Sequence, residues 1–160
     1  MPASIAIIDG GGANIASLTF ALQRLGIRAQ LTTDKATIMA ADKVILPGVG
    51  AAADAMTKLQ KADLCSVIRE LKQPVLGICL GMQLLFDASE EDSATCLGVI
   101  PGHAKRFASA PERPVPHMGW NKVAQRGNSP IFAGIANGAH FYFVHSYALP
   151  VGPDTIGITD

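Results

Sequence analysis

The tightest restriction on how this chain can fold comes from five residues, Gly77-Ile78-Cys79-Leu80-Gly81. The apolar run Pro74 to Ile78 reads as a buried strand, and Met82 to Asp87 reads as a helix. A glycine on either side of Cys79 permits a very sharp joint, because a Cβ at either position would meet neighbouring strands or the helix. Cys79 itself is then forced into a strained conformation that lifts its side chain clear of a sheet. At a helix N-terminus, free N–H groups favour an anionic sulfur. The Leu80 amide is aimed where a tetrahedral oxyanion would form. The bland alternative is a buried cysteine in an ordinary turn, and the glycine spacing speaks against it.

The rest of the chain supplies the sheet that such a joint needs. Ser4 to Asp9, Ile27 to Leu31, Lys43 to Leu46 and Pro74 to Ile78 read as strands, the third stopped by Pro47. Gly10-Gly11-Gly12 reads as a tight turn. Asn14 caps a helix carrying Ile15, Leu18, Leu22 and Leu25, which Gly26 ends. Asp34 starts a short helix, and Ala51 to Leu71 is helical with a break near Asp63. Alternating strands and helices imply an α/β fold: a mostly parallel sheet with helices on both faces. After Ala88 the pattern changes. Strand-like runs at Gly98 to Ile100, Asn121 to Val123 and Phe141 to Tyr147 read as hairpins added at one edge of the sheet. No linker interrupts residues 1–160, which read as one domain.

Composition narrows the function. Half the chain is hydrophobic, enough for a sizeable core, and 13 basic residues balance 13 acidic ones, so nothing points to nucleic acid or an anionic membrane. No apolar run reaches the roughly 18 residues of a membrane span. The N-terminus lacks a basic signal-peptide region, so cytoplasm is the expectation. The cysteines Cys65, Cys79 and Cys96 share no CxxC spacing, which argues against a disulfide framework or a metal site. Gly10-Gly11-Gly12 is no dinucleotide loop, since the third glycine of that fingerprint would fall at Ile15. No cofactor is expected. Glu90-Glu91-Asp92 reads as a solvated loop, and Lys105 and Arg106 are too few for a phosphate patch. His145 shares a strand face with Phe141, Phe143 and Tyr147 and reads as structural rather than as a general base. Pro47-Gly48-Val49-Gly50 would expose backbone N–H groups at the strand ends, where open parallel sheets bind ligands, and so offers the second half of an oxyanion hole.

The segment Pro74 to Leu85 resembles the nucleophile segment of class I (triad-type) glutamine amidotransferases, and Pro47-Gly48-Val49-Gly50 resembles their oxyanion strand. Three more segments, Asp9 to Asn14, Pro116 to Asn121 and Phe141 to Tyr147, resemble the glutaminase subunits of imidazole glycerol phosphate synthases. The resemblance implies a three-layer α/β amidotransferase fold. It also implies hydrolysis of L-glutamine to glutamate and ammonia, with ammonia passed to a (β/α)8 cyclase partner in a heterodimer. Carried over by motif, Cys79 is the acylated thiol, and Val49, Gly50 and Leu80 form the oxyanion hole. Gly48 would line the pocket, while Gln83, Ser146 and Tyr147 would hold the glutamine backbone groups. Asn14, Pro116, His117, Met118 and Trp120 would face the partner. For Trp120, the only tryptophan, core packing is the ordinary alternative.

The resemblance also implies a C-terminal His-Pro-Glu motif whose histidine takes the thiol proton. None occurs here, and His103, His117, His140 and His145 do not match it. The reading is therefore of a C-terminally incomplete domain. Two alternatives stay open: a glutaminase serving pyridoxal phosphate, anthranilate or purine synthesis, and an inactive interaction module.

Overall fold

The computed structural model describes residues 3–11 and 14–159, which divide into two compact units, one up to Ala104 and one from Lys105 onward. Four parallel strands organise the first unit: β1 (Ile5–Ile8), β2 (Ala29–Thr32), β3 (Lys43–Gly48) and β4 (Val75–Cys79), in the order β2-β1-β3-β4. Between and after them run α1 (Ile15–Arg24), α2 (Lys35–Ala40), α3 (Ala52–Lys61), α4 (Cys65–Glu70) and α5 (Leu80–Leu84). Alternation along the strands sends Ala6, Ile8, Val44 and Leu46 to one face. There they pack with Ile38 of α2, Met56 and Leu59 of α3, Ile68 of α4 and Leu84 of α5 in one cluster. Each of the Ile, Leu, Val and Met side chains among them, fully withdrawn from water, contributes about 1.5–3 kcal/mol. By contrast, α1 contributes no fully buried residue.

Local signals placed several of these elements. Asn14 caps α1 by accepting from the Ser17 amide, and Gly26 follows that helix at φ +71°. Asp34 caps α2 by accepting from the Thr37 hydroxyl and amide, and these two bonds, the hydroxyl's first, lower its carboxyl pKa. Asp63, at φ 55°, breaks the long helical segment into α3 and α4. Of the glycine turn after β1, Gly10 and Gly11 are described and Gly12 lies outside the described residues.

Other expectations need correction. Pro47 does not stop β3, which runs on to Gly48 and pairs there with Cys79. Lys43 N–H bonds Ser4 of the β1 side and Val44 N–H bonds Pro74 of the β4 side, so Pro47 falls on the β1 side. Pairing to β1 ends at Ile45, so the missing proline N–H leaves no ladder bond unmade. The helix after Cys79 is Leu80–Leu84 rather than Met82 to Asp87. Asp87 belongs instead to β5 (Phe86–Ser89), which lies between β6 (Ala94–Thr95) and β7 (Ile100–Arg106). These strands form a separate sheet, so the β-rich part does not extend the edge of the parallel one. Gly98, at φ +64°, is a turn residue before β7, not the start of a strand. Glu91 is not a solvated loop residue: its half-buried carboxylate accepts from the Ala52 amide at 2.9 Å, at the first turn of α3.

The second unit is built on an antiparallel pair, β8 (His117–Lys122) and β10 (His140–His145). Short strands β9 (Ala124–Gln125) and β12 (Gly157–Ile158) pair with each other, and β11 (Tyr147–Ala148) pairs with Lys105 and Arg106 at the end of β7. Among the described residues no helix is long and apolar enough to cross a membrane.

Candidate active site

Cys79 stands at the carboxyl end of β4, exposed, at φ 53° and ψ −119°. That region disfavours an L side chain, and only the surrounding packing sustains it. The packing is very close. A Cβ added at Gly77 would lie 2.5 Å from Met82 Cα, and one at Gly81 would lie 1.9 Å from the Leu46 carbonyl oxygen. One at Gly48 would lie 2.6 Å from the Gly81 amide nitrogen. Three glycines thus bring β3, β4 and α5 together more closely than any side chain allows. The consequence is a thiol projected outward from the sheet rim, as the glycine spacing predicts.

The groups around it belong to the same rim. Leu80 is the first residue of α5, so its N–H has no acceptor within the helix. Its side chain is buried. Val49 is half exposed and Gly50 has φ +88°, directly after Gly48, which pairs with Cys79 in the strand register. Nothing lies within 4 Å of a Cβ placed at Gly50. Backbone conformation rather than space therefore demands glycine there. Beside them Gly10, Gly11, Pro47, Gly48 and Val49 line a cleft of about 10 Å³, scarcely room for a water; it does not include Cys79.

Gln83 lies one turn beyond Cys79 and is only 7% exposed. Its Oε1 has no hydrogen-bond partner among the described residues. An acceptor left unmade in a buried position costs about 1–3 kcal/mol, so its retention calls for a donor from elsewhere.

The remaining expected site residues lie in the second unit, apart from Asn14. Ser146 accepts at its carbonyl from the Phe107 amide, and Tyr147 pairs with Arg106; both are half-buried. Asn14 is exposed, with its side-chain oxygen already engaged in capping α1. Pro116 is exposed, after a cis peptide bond. On β8, alternation separates the others. Met118 and Trp120 are 61% and 69% exposed on one face. His117 turns to the opposite face, where its ring stacks on Phe143 and its Nε2 lies 3.0 Å from Asn121 Oδ1.

Two residues escaped sequence reasoning. The antiparallel register sets Tyr142 opposite Trp120 and Val144 opposite Met118. Both are more than half exposed, and the Trp120 and Tyr142 rings meet edge to face. Only the alternation along Phe141 to His145 hinted at them. The other face holds His145, whose ring packs against Phe107, His117 and Phe143. Burial, and then the neighbouring His117, lower its pKa. Among the described residues no group of three or more His, Cys, Asp or Glu could hold a metal.

Comparison with known proteins gives the family and the fold. The profile "Glutamine amidotransferase class-I" matches residues 6–159. The imidazole glycerol phosphate synthase subunit HisH of Xanthomonas axonopodis pv. citri (strain 306) is 48% identical over 156 residues, covering 98% of this chain and 78% of that protein. The subunit of the same name from Xylella fastidiosa (strain Temecula1 / ATCC 700964) is 47% identical over the same shares. Among solved structures, a glutamine amidotransferase superposes with a TM-score of 0.73 at 17% identity, over 96% of this chain and 78% of that one. A putative GMP synthase protein from Thermoplasma acidophilum gives 0.65 at 20% identity, over 95% and 69%. These two likenesses show a shared fold. From profile and relatives together, the chain belongs to the class I glutamine amidotransferase family, in the branch of the imidazole glycerol phosphate synthase HisH subunits.

Proposed function

We propose that this chain is a glutaminase subunit of imidazole glycerol phosphate synthase, acting in histidine biosynthesis through a Cys79 thioester. The observation that carries the reading is the exposed thiol at φ 53°, paired in register with Gly48 at the end of β3. In the reaction the Cys79 sulfur attacks the carboxamide carbon of L-glutamine. The C–S bond forms while the carbonyl oxygen takes the negative charge, and N–H groups of Val49, Gly50 and Leu80 are the donors assigned to that oxyanion. Collapse breaks the C–N bond, ammonia departs with the added proton, and water hydrolyses the thioester to glutamate. The histidine that moves these protons in the family belongs to a His-Pro-Glu motif with no counterpart among these 160 residues.

Substrate positioning follows from chemistry. The α-ammonium of glutamine is a donor of the kind that Gln83 Oε1 lacks. Gly48 is assigned to the pocket wall and Ser146 and Tyr147 to the substrate backbone groups. The family match over residues 6–159 supports reading both units as parts of one amidotransferase domain. Three unpaired cysteines fit a reducing, cytoplasmic setting. Labelling of Cys79 by an electrophilic glutamine analogue tests the reading, and an inert thiol in the full-length protein would sink it.

The partner assigned is a (β/α)8 cyclase, with Asn14, Pro116, Met118 and Trp120 facing it; His117, stacked on Phe143 on the other face of β8, is left out of that surface. The outer face of β8 and β10 is the strongest support, because Met118, Trp120, Tyr142 and Val144 form a contiguous exposed apolar patch. Trp120→Ala and Tyr142→Ala are each expected to weaken cyclase binding by about 2 kcal/mol, roughly thirtyfold in Kd. Titration calorimetry with both variants checks this, and unchanged affinities would remove the patch from the interface. Of the segment Pro47 to Gly50, whose first two residues lie in β3, the Val49-Gly50 part is expected to rearrange when partner and glutamine bind, since Gly50 permits a peptide flip. Identical backbone geometry in the free and assembled states would count against that.

A further inference from the structure

We infer that Arg69 is a positioning residue, which latches the segment Cys96 to Ile100 against the back of α5 and so holds the helix that carries Cys79 at its front. The inference rests on the glutaminase reading above and adds a residue that has no assigned contact with glutamine. α5 has only five residues. A helix that short closes little more than one turn and cannot fix its own position. What holds it lies at its two ends. At the front, the close approaches at Gly77 and Gly81 seat it on β4 and β3. At the back, a segment from further along the chain supplies donors to the carbonyls that the helix leaves unpaired. The Leu97 N–H bonds the Leu84 carbonyl at 2.9 Å, and the Gly98 N–H bonds that of Phe86 at 2.8 Å. The Val99 and Ile100 N–H groups share the Leu85 carbonyl, at 2.8 and 2.9 Å. Gly98, at φ +64°, makes the bend that turns these four consecutive amides toward the helix end.

The segment is itself latched from outside. Leu97 is 1% exposed, so its carbonyl oxygen is cut off from water. Its donor is Arg69 Nε of α4, at 2.7 Å and 28 residues back along the chain. Val67 and Ile68 of α4 are buried in the same core cluster as Leu84, Leu85 and Leu97, which makes a firm base for the reach of Arg69. Without that donor the Leu97 carbonyl becomes a buried acceptor left unmade. It can regain a partner only if its peptide turns toward water. The same peptide carries the Gly98 N–H, so turning it breaks the bond to Phe86. α5 then loses its backstop, and displacement of catalytic groups by about an ångström can cost a hundredfold in rate.

Three substitutions separate the latch from its rivals. Glutamine carries Nε2 where arginine carries Nε, counted in bonds from the backbone, so Arg69→Gln keeps a donor and drops the charge. Arg69→Met puts a methyl group there and drops both. Gln73→Met is the control, since it removes a similar bond, from Gln73 Nε2 to the carbonyl of buried Ile38 at 3.0 Å, in α2 rather than behind α5. In the full-length protein assembled with its cyclase, R69M is expected to lose about tenfold or more in kcat/KM for glutamate release, while R69Q and Q73M stay within about threefold of the parent. Urea midpoints should fall in both R69M and Q73M. Alkylation of Cys79 by iodoacetamide, followed on its own peptide by mass spectrometry, should change about threefold or more in rate in R69M alone. An R69Q as slow as R69M would trace the effect to the charge and overturn the latch. A Q73M as slow as R69M would reduce it to lost stability, and parental activity in R69M would leave Arg69 without a part in the reaction. If the parent protein shows no Cys79-dependent glutamate release, the glutaminase reading fails instead. Alkylation then decides the latch by itself, and equal Cys79 rates in all four proteins would overturn it.

Discussion

Cys79→Ala is expected to lower glutamine hydrolysis by the full-length, partnered protein by about 10⁴-fold or more, with glutamine still bound. Without sulfur no thioester forms, and water must attack the carboxamide directly. The backbone donors assigned to the oxyanion would remain, so the loss should fall on kcat. The fold should survive, since the thiol is exposed at the sheet rim and fills no part of the core. Cys79→Gly sharpens the test. At φ 53° and ψ −119° glycine is at ease where cysteine is strained, so this variant should be equally inactive and yet about 1 kcal/mol more stable. Glutamate release and the urea midpoint together read both effects. Activity within tenfold of the parent in either variant would remove Cys79 from the chemistry.

The second large effect belongs to a residue with no chemistry at all. Gly81→Ala is expected to destabilise the first unit by about 3 kcal/mol or more, a large share of a typical folding free energy. The added Cβ would sit 1.9 Å from the Leu46 carbonyl oxygen and 2.7 Å from its carbon. Both are backbone atoms of β3, so no side chain can swing aside. Relief requires α5 to move off the sheet, which carries Cys79 away from Gly48. Gly50→Ala is the control. It meets no atom within 4 Å and suffers only the strain of φ +88°, about 1–2 kcal/mol. Equal urea midpoints for the two variants would contradict the close-approach argument.

The Gly81 contact also shows why the nucleophile was legible in one dimension. A strand, a turn and a helix within a dozen residues are set by local rules: an apolar run, two glycines that need no Cβ, and a helix starting at once. The same holds for the Asn14 and Asp34 caps, for Gly26, and for the break at Asp63. Each depends on residues within one helical turn of it. The expected helix Met82 to Asp87 ends beyond the observed one, at Leu84, because Phe86 to Ser89 carries apolar residues that suit either period. Pairing with β6 and β7, strands that follow it in sequence, decided between them.

Sequence by itself therefore determined the strained joint at Cys79, the alternating α/β order and the family motifs, because those are written in neighbouring residues. Tertiary structure alone decided three things. It let Pro47 stay within β3 by ending the β1 ladder at Ile45, it joined Tyr142 and Val144 to Trp120 and Met118 in one exposed patch, and it brought Glu91 to the first amide of α3. The common reason is pairing across chain separation. A strand's register, or a carboxylate's reach to a distant helix, depends on how remote backbone segments meet, and no local pattern of apolar and polar residues encodes that meeting.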